Sequence, residues 1–295
     1  MAFPMGVSLK PEPLSVPEAI IKLLKYLPKR SQISVMRLDG ALMLKDTEKY
    51  VRLKQAIYRD YSRSYGEDRE RFVTAGALRE RIEWAIGSLV PGLRLLDLGC
   101  GSGELLDQAR RPTLERSSLV GLDLTPEMLA LAKNRKLGRR VSLLQGNVLD
   151  GLPFRSSSFH LITCLNLIQE IPTKALPKLL EEMERILVPG GEVKAVIPCM
   201  TDDNASSRTF ARLAREQGAI NFGYVNDLKE TLENGSGLHN KKYDLKSSPA
   251  AAAASRGRTR FDFFTKLQRQ ISDMGLDPSE VHQGVVFFSG NRSEA

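Results

Sequence analysis

Glycines at positions 99, 101 and 103, following an aspartate at 97, are the residues whose types and spacing most directly imply chemistry. They close the stretch Leu93 to Leu106, L-R-L-L-D-L-G-C-G-S-G-E-L-L, in which an apolar run meets Asp97, then alternating glycines, then apolar-periodic sequence again. That order predicts a strand, a tight turn and a helix. Residues without a Cβ let the chain turn sharply at a strand end and let a ligand lie against main-chain N–H groups at a helix N-terminus. A dinucleotide cradle uses the spacing G-x-G-x-x-G and seats a pyrophosphate on the helix dipole. Here the spacing is G-x-G-x-G, and the acid ahead of it would repel a pyrophosphate but suits a ligand whose near end is cationic.

Positioning such a loop requires a sheet, and from Pro91-Gly92 onward strands alternate with helices. Strand one is expected at Leu93 to Leu98, with its helix from Gly103 to Arg111. Strand two is S-L-V-G-L-D, ending at Asp123, and Thr125 and Pro126 are placed to cap and start the next helix. Strand three falls at 141–146 and strand four at 158–165; a helix from Thr173 to Leu187 then leads through V-P-G-G into strand five, E-V-K-A-V-I-P. The alternation predicts an α/β fold, a parallel sheet with helices on both faces.

With the loop, Asp123, Gly146-Asn147 and the end of strand four in order, residues 90 to 199 resemble the class I S-adenosylmethionine (SAM) dependent methyltransferases, in particular the ubiquinone/menaquinone-biosynthesis-like, methyltransferase type 11 group. The likeness extends weakly to the end of the chain, where F-D-F-F-T-K-L-Q-R-Q-I-S-D-M-G-L and G-V-V-F-F-S are similar to that family's closing helix and last, antiparallel strand. It implies a Rossmann-like, seven-stranded, mostly parallel sheet of order 3-2-1-4-5-7-6, SAM as methyl donor and S-adenosylhomocysteine as product. It places Asp97 near the methionine ammonium, the backbone of Gly99, Cys100, Gly101 and Gly103 along methionine and ribose, Asp123 on the ribose hydroxyls and Leu124 beside the adenine. Gly146-Asn147 stands where the family usually has Gly-Asp, so Asn147 and the N–H of Val148 are the expected adenine contacts. Leu165, Asn166, Gln169 and Glu170 should line the floor between methionine and acceptor, while His160 falls at the wrong end of strand four for catalysis.

Methyl transfer from a sulfonium is an in-line displacement that a protein can promote by alignment and exclusion of water, without a nucleophilic triad or a metal. Should the acceptor have to lose a proton, the candidate bases are Glu170 and His239. The three cysteines, 100, 164 and 199, lack paired metal-ligand spacing and read as small buried apolar residues, so no metal site is expected.

Residues 1–89 read as a helical extension: a proline-rich arm to about 16, an amphipathic helix from Pro17, and helices at 46–65 and 67–89. The amphipathic helix would pack on the body of the protein or on another subunit, which permits a homodimer through the N-terminal helices. Tyr58, Tyr61 and Tyr65, interleaved with arginines including Arg63, could stack on bases. By the resemblance, they form a lid over the ligand. Residues 200–260 read as an insertion over the C-terminal edge of the sheet, with a helix at 204–217, a mixed polar segment at 218–245 and a mobile low-complexity linker at 246–257. Residues 261–295 supply the closing helix and last strand.

At 295 residues and 42% hydrophobic content the chain can bury a large core. It has no membrane-length apolar run and no signal-peptide order at its start, so a cytoplasmic address is expected. The net charge of +8 sits mostly in residues 1–90, which hold 16 Lys/Arg against 11 Asp/Glu. A solvated face is the default reading, though the surplus is compatible with an anionic acceptor or nucleic acid. A small-molecule methyltransferase is therefore the leading expectation. An RNA (tRNA or rRNA) methyltransferase is the alternative, although Pro198-Cys199 ends strand five and no base-methylating N-P-P-Y-like or P-C sequence stands at strand four. A non-catalytic, methyltransferase-like binding subunit is the third reading. The loop spacing and Asp97 argue against an NAD-dependent oxidoreductase.

Overall fold

The computed structural model describes residues 35–38, 41–44, 47–63, 75–87, 90–110, 116–216, 223–249 and 263–294. Seven strands form one sheet: β3 (Arg94–Leu98), β4 (Ser118–Asp123), β5 (Val141–Gln145), β6 (Phe159–Leu165), β7 (Leu187–Met200), β8 (His239–Pro249) and β9 (His282–Asn291). Their spatial order is β5-β4-β3-β6-β7-β9-β8, with β3 to β7 parallel and β9 antiparallel to both its neighbours. Counted within the sheet this is 3-2-1-4-5-7-6, as the resemblance implies. The order reverses at β3, and in open α/β sheets ligands bind outside the carboxyl ends of strands at such a switch point.

Alternation along the strands assigns the two faces. Leu95 and Leu161 pack with Leu119 under α2 (Ala75–Ile86), α3 (Glu104–Gln108) and α4 (Pro126–Asn134). Their neighbours Leu96, Leu98, Ile162 and Cys164 face α5 (Leu176–Ile186) and α7 (Val225–Asn234). Helix α5 shows why the sequence forms it: Leu176, Leu179, Leu180, Met183 and Ile186 recur at helical spacing and are all buried. Gly121 lets α3 approach β4, since a Cβ there would lie 2.6 Å from Leu106 Cδ1 and 2.8 Å from Cys100 Sγ.

Several elements differ from expectation. The extension is not wholly helical: β1 (Val35–Leu38) pairs antiparallel with β2 (Ala41–Leu44), and the Asp39-Gly40 dipeptide between them is a strong hairpin signal in the sequence. Helix α1 spans Thr47–Tyr61, and the helix after the glycine loop stops at Gln108. The stretch 218–245, expected as a mixed polar segment, contains α7 and the start of β8. As the sheet's outer strand β8 pairs on one side only, so it carries just Tyr243 and Leu245 as large apolar residues among lysines at 241, 242 and 246, a composition that discourages edge pairing with other chains. The expected linker at 246–257 begins inside that strand, and its part beyond Pro249 lies outside the described residues, as do the proline-rich arm and the helix from Pro17. Helix α6 (Ala205–Glu216) packs with α8 (Phe263–Asp273) around Phe210, Leu267 and Ile271 beyond the end of β7. No helix among the described residues is long and apolar enough to cross a membrane.

Candidate functional site

The glycine loop leaves β3 with positive φ at all three glycines: 67° at Gly99, 52° at Gly101 and 79° at Gly103. A side chain at 103 would in addition be crowded by Ala132 and Leu137, at 3.1 and 3.2 Å from its Cβ. The loop is pinned to the next strand. Gly99 and Cys100 both donate to the Leu122 carbonyl, at 2.8 and 3.1 Å.

Asp123, at the end of β4, completes the pinning. Its Oδ2 accepts the Gly101 N–H at 2.9 Å and its Oδ1 accepts the Thr125 N–H at 2.9 Å. Thr125 sits at the cap position of α4 with Pro126 behind it, yet its own side chain makes no capping bond. The carboxylate of Asp123 thus organises two loops at once while remaining partly accessible. Each ionised oxygen carries two acceptor sites, so a diol can be accepted at the remaining pair. Burial pushes the carboxyl up, opposed by the same two N–H bonds.

Beneath the loop Asp97 is buried and accepts the Thr163 hydroxyl at 2.8 Å. Burial drives its carboxyl up to about 7, the Thr163 bond opposes that rise and the charge of Asp123 adds to it. A cationic group nearby would be favoured by, and would favour, the ionised form. At the end of β5, Asn147 Oδ1 accepts the Leu149 N–H at 3.1 Å and caps the turn Val148–Asp150. That bond orients Asn147 and leaves its second acceptor position.

The end of β6 turns at Asn166, where φ is 57°. Asn166 donates its N–H to the Val196 carbonyl at 2.9 Å and accepts the Gln169 side-chain amide on its own carbonyl at 2.7 Å. The adjoining Leu167 abuts the glycine loop, lying 3.2 Å from where a Cβ on Gly99 would be. Gln169 and Glu170 are buried in the short turn that follows.

Helix α1 lies across both rims of this cleft. On the β6 side Lys54 forms an ion pair with Glu170, their side chains 8% and 10% exposed, and the Tyr50 hydroxyl donates to the Glu170 carbonyl. Burial, with the charge of Glu170 second, pushes the Tyr50 phenol up. On the β4 side Arg59 pairs with Glu127 at 3.0 Å and Gln55 reaches the Leu124 carbonyl at 3.4 Å. Residues advance by about 100° around a helix, which puts Tyr58 between Lys54 and Gln55, on the face turned toward the cleft. Tyr58 and Tyr61 stand edge to face at 6.3 Å, Arg63 is exposed and pairs with Asp60, and Tyr65 lies outside the described residues.

The structure therefore brings together Asp97, Gly99, Cys100, Gly101, Gly103, Asp123, Leu124, Asn147, Val148, Leu165, Asn166 and Gln169 at the carboxyl ends of β3 to β6. The two candidate bases fare differently. His239 begins β8 opposite Asn291, which in turn pairs with Glu192, so it lies at the amino end of the parallel strands, away from the loops. Glu170 is at the right end and is held by Lys54 in a buried ion pair. His160 accepts the Arg94 N–H at 3.1 Å beside the start of β3. The cysteines 100, 164 and 199 are buried, and no cluster able to hold a metal occurs among the described residues. Sequence reasoning missed Tyr50, Lys54 and Gln55. Tyr50 and Lys54 fall at i, i+4 on one helix face, yet the partner of Lys54 is 116 residues away.

Residues 95–191 match a family described as methyltransferase domain. Among individual proteins, the chain is 33% identical over 135 residues to a 2-phytyl-1,4-naphtoquinone methyltransferase of Synechocystis, covering 44% of this chain and 54% of that one. It is 31% identical over 106 residues to a demethylmenaquinone methyltransferase of Bacillus cereus, covering 35% and 44%. The chain thus aligns with about half the length of these relatives. Similar solved structures include YcgJ of Bacillus subtilis, with a TM-score of 0.54 at 19% identity over 74% of this chain and 98% of that one. A phosphoethanolamine N-methyltransferase of Haemonchus contortus, solved with S-adenosylhomocysteine, gives 0.56 at 17% identity, covering 74% and 53%. At those identities the likeness speaks to the fold alone.

Proposed function

We propose, from the premise that residues 95–191 are a methyltransferase domain with the class I SAM-dependent strand order, that this chain transfers a methyl group from SAM to a small-molecule acceptor of quinone-like, aromatic character. The observation that carries the reading is Asp123, a partly buried carboxylate at the end of the second strand of the sheet that holds the glycine loop and the start of α4 in one arrangement. When bound, SAM supplies a methyl group already activated on a sulfonium. The residues of the chain then have to bind, align and exclude water.

The cradle fits that ligand. Left-handed glycines let the loop turn sharply at the end of β3, Asp123 offers acceptors for the ribose hydroxyls, Asn147 and Val148 edge the adenine position, and Asp97 supplies negative character toward a cationic end. Helix α1, fastened at Glu170 and Glu127, roofs the cleft and brings Tyr58 to it. Such a cover favours a small acceptor over a folded RNA, and the two quinone methyltransferases among the relatives support the aromatic class. With Glu170 committed to Lys54, the acceptor would arrive already ionised or lose its proton to water.

Incubation of the purified chain with SAM and a reduced naphthoquinone lacking the ring methyl should yield a singly methylated product by mass spectrometry. Absence of calorimetric binding of S-adenosylhomocysteine to the folded chain would overturn the enzyme reading. Methylation of bulk tRNA but of no quinol would transfer the activity to nucleic acid.

A further inference from the structure

The two outer strands of the sheet have opposite character. β8 carries lysines at 241, 242 and 246, which keep other strands from adding to it. β5, at the other edge, reads V-S-L-L-Q, holds no charged residue and pairs with β4 alone among the described residues. Leu144 is 38% exposed, Ser142 and Gln145 are exposed, and Val141 and Leu143 are only partly buried against the core under α3 and α4. An uncharged apolar edge is what soluble sheets avoid unless something covers it.

The open side of β5 has a definite hydrogen-bonding parity. Leu119 donates to the Arg140 carbonyl and Gly146 to the Asp123 carbonyl, both at 3.0 Å. With the parallel register running from Leu119↔Val141 to Asp123↔Gln145, those bonds assign the even-numbered residues to β4 and turn the N–H and C=O of 141, 143 and 145 outward. The outward set is symmetric about Leu143. A second β5 laid antiparallel with its Leu143 beside this one pairs 143 with 143 and 141 with 145, and each pair exchanges both bonds without releasing any made to β4. The flanking charges agree with that direction. Lys136 and Arg139 are exposed just ahead of the strand and Asp150 is exposed just after it, so an antiparallel copy sets the basic start of one strand beside the acidic end of the other.

We infer that β5 is the contact through which two copies of this chain join, about a two-fold axis at Leu143, doubling the seven-stranded sheet into one continuous sheet. The interface is isologous: Leu144 of each copy lies opposite Ser142 of the other and diagonal to the other Leu144. It is a different contact from a dimer through the N-terminal helices, and it adjoins the turn that carries Asn147 and Val148. The paired strands are short, so the dimer is a reversible one that dissociates on dilution.

Sedimentation equilibrium of the full chain over a dilution series, with hydrogen exchange on the same samples, tests the contact. The wild-type chain should reach twice the mass of one chain at high concentration, and its Leu143 and Gln145 amides should exchange slowly there and quickly on dilution. Leu144→Lys sets two ammonium groups diagonally across the axis and should weaken the dimer on the order of tenfold or more. In that variant the 143 and 145 amides should exchange quickly while those of Ser142 and residue 144, bonded to β4, stay protected, which shows that the strand itself is intact. A wild-type chain of single mass at every concentration overturns the inference, whether its outward amides exchange quickly or are protected by another part of the same chain. A dimer whose mass and exchange Leu144→Lys leaves unmoved overturns it as well, since the copies would then meet elsewhere.

Discussion

Replacing Asp123 by alanine removes two kinds of interaction, and their sizes differ enough to be told apart. Within the chain it deletes the acceptor for the Gly101 and Thr125 N–H groups, both at 2.9 Å. Hydrogen bonds to an ionised acceptor are each worth about 1.5–3 kcal/mol. The carboxylate is itself raised by burial, so removing it also relieves a desolvation cost. The net loss of stability should be about 1–3 kcal/mol, a fall in melting temperature of roughly 3–10 °C for a domain of this size. Toward the ligand, loss of two hydrogen bonds to the ribose diol should weaken binding of S-adenosylhomocysteine by about two to three orders of magnitude.

Loop disorder alone would also weaken binding, and a ligand-side change separates the causes. An analogue lacking both ribose hydroxyls should bind the wild-type chain weakly and lose little more on Asp123→Ala, because groups in direct contact are not additive. If the carboxylate acts only by ordering the Gly101 and Thr125 loops, the substitution should penalise the analogue and S-adenosylhomocysteine by equal factors. That result, or full affinity in the alanine variant, would refute the ribose assignment. Asp123→Asn should be intermediate, since its amide nitrogen would face one of the two N–H groups, donor against donor.

Two other perturbations test the frame around the cradle. Lys54→Met should destabilise the chain by about 2–4 kcal/mol in denaturant unfolding by stranding a buried carboxylate; adding Glu170→Gln to it should recover much of the loss, and strict additivity of the two changes would mean that the ion pair does not couple α1 to β6. Asp97, raised to about 7 in the folded chain against an ordinary carboxyl near 4, binds its proton more tightly when native. Its contribution to stability is therefore present below about pH 4 and lost as pH rises through about 7, on the order of 2–4 kcal/mol; Asp97→Asn should flatten that part of the stability profile, and an identical slope in both proteins would contradict the burial argument.

What could be read from the sequence was local. Three alternating glycines, an acid at each of two strand ends and a Thr-Pro helix start are properties of a few consecutive residues, and backbone geometry fixes what they do: φ is positive at each glycine, and β4 ends at Asp123. The strand order followed from the resemblance those residues carry. The hairpin at 35–44 had a local signal in Asp39-Gly40, which the reading of residues 1–89 as a helical extension passed over. Strand β8 had little signal, because an outer strand pairs on one side and has few apolar positions to reveal it. His239 illustrates the remaining difficulty: a residue's chemistry is legible anywhere, whereas the end of the sheet it occupies depends on register with Asn291, far along the chain.

The same distinction separates the two halves of the site. The donor half is largely main chain, so its specification is compressed into the loop at 99–103 and the strand beside it. The roof and the β6 rim consist of side chains meeting over long separations: Lys54 with Glu170 across 116 positions, Arg81 with Asn166 across 85. Nothing in either residue's neighbourhood requires its partner, and a lysine or arginine on an amphipathic helix ordinarily faces water. Burial is what turns these into informative residues, because a charge withdrawn from solvent must find compensation. Lys54 finds it in Glu170, whereas the Arg81 guanidinium has the Asn166 amide oxygen and the charge of the neighbouring Glu80. Lys54 is thereby a structural clasp between α1 and the turn after β6.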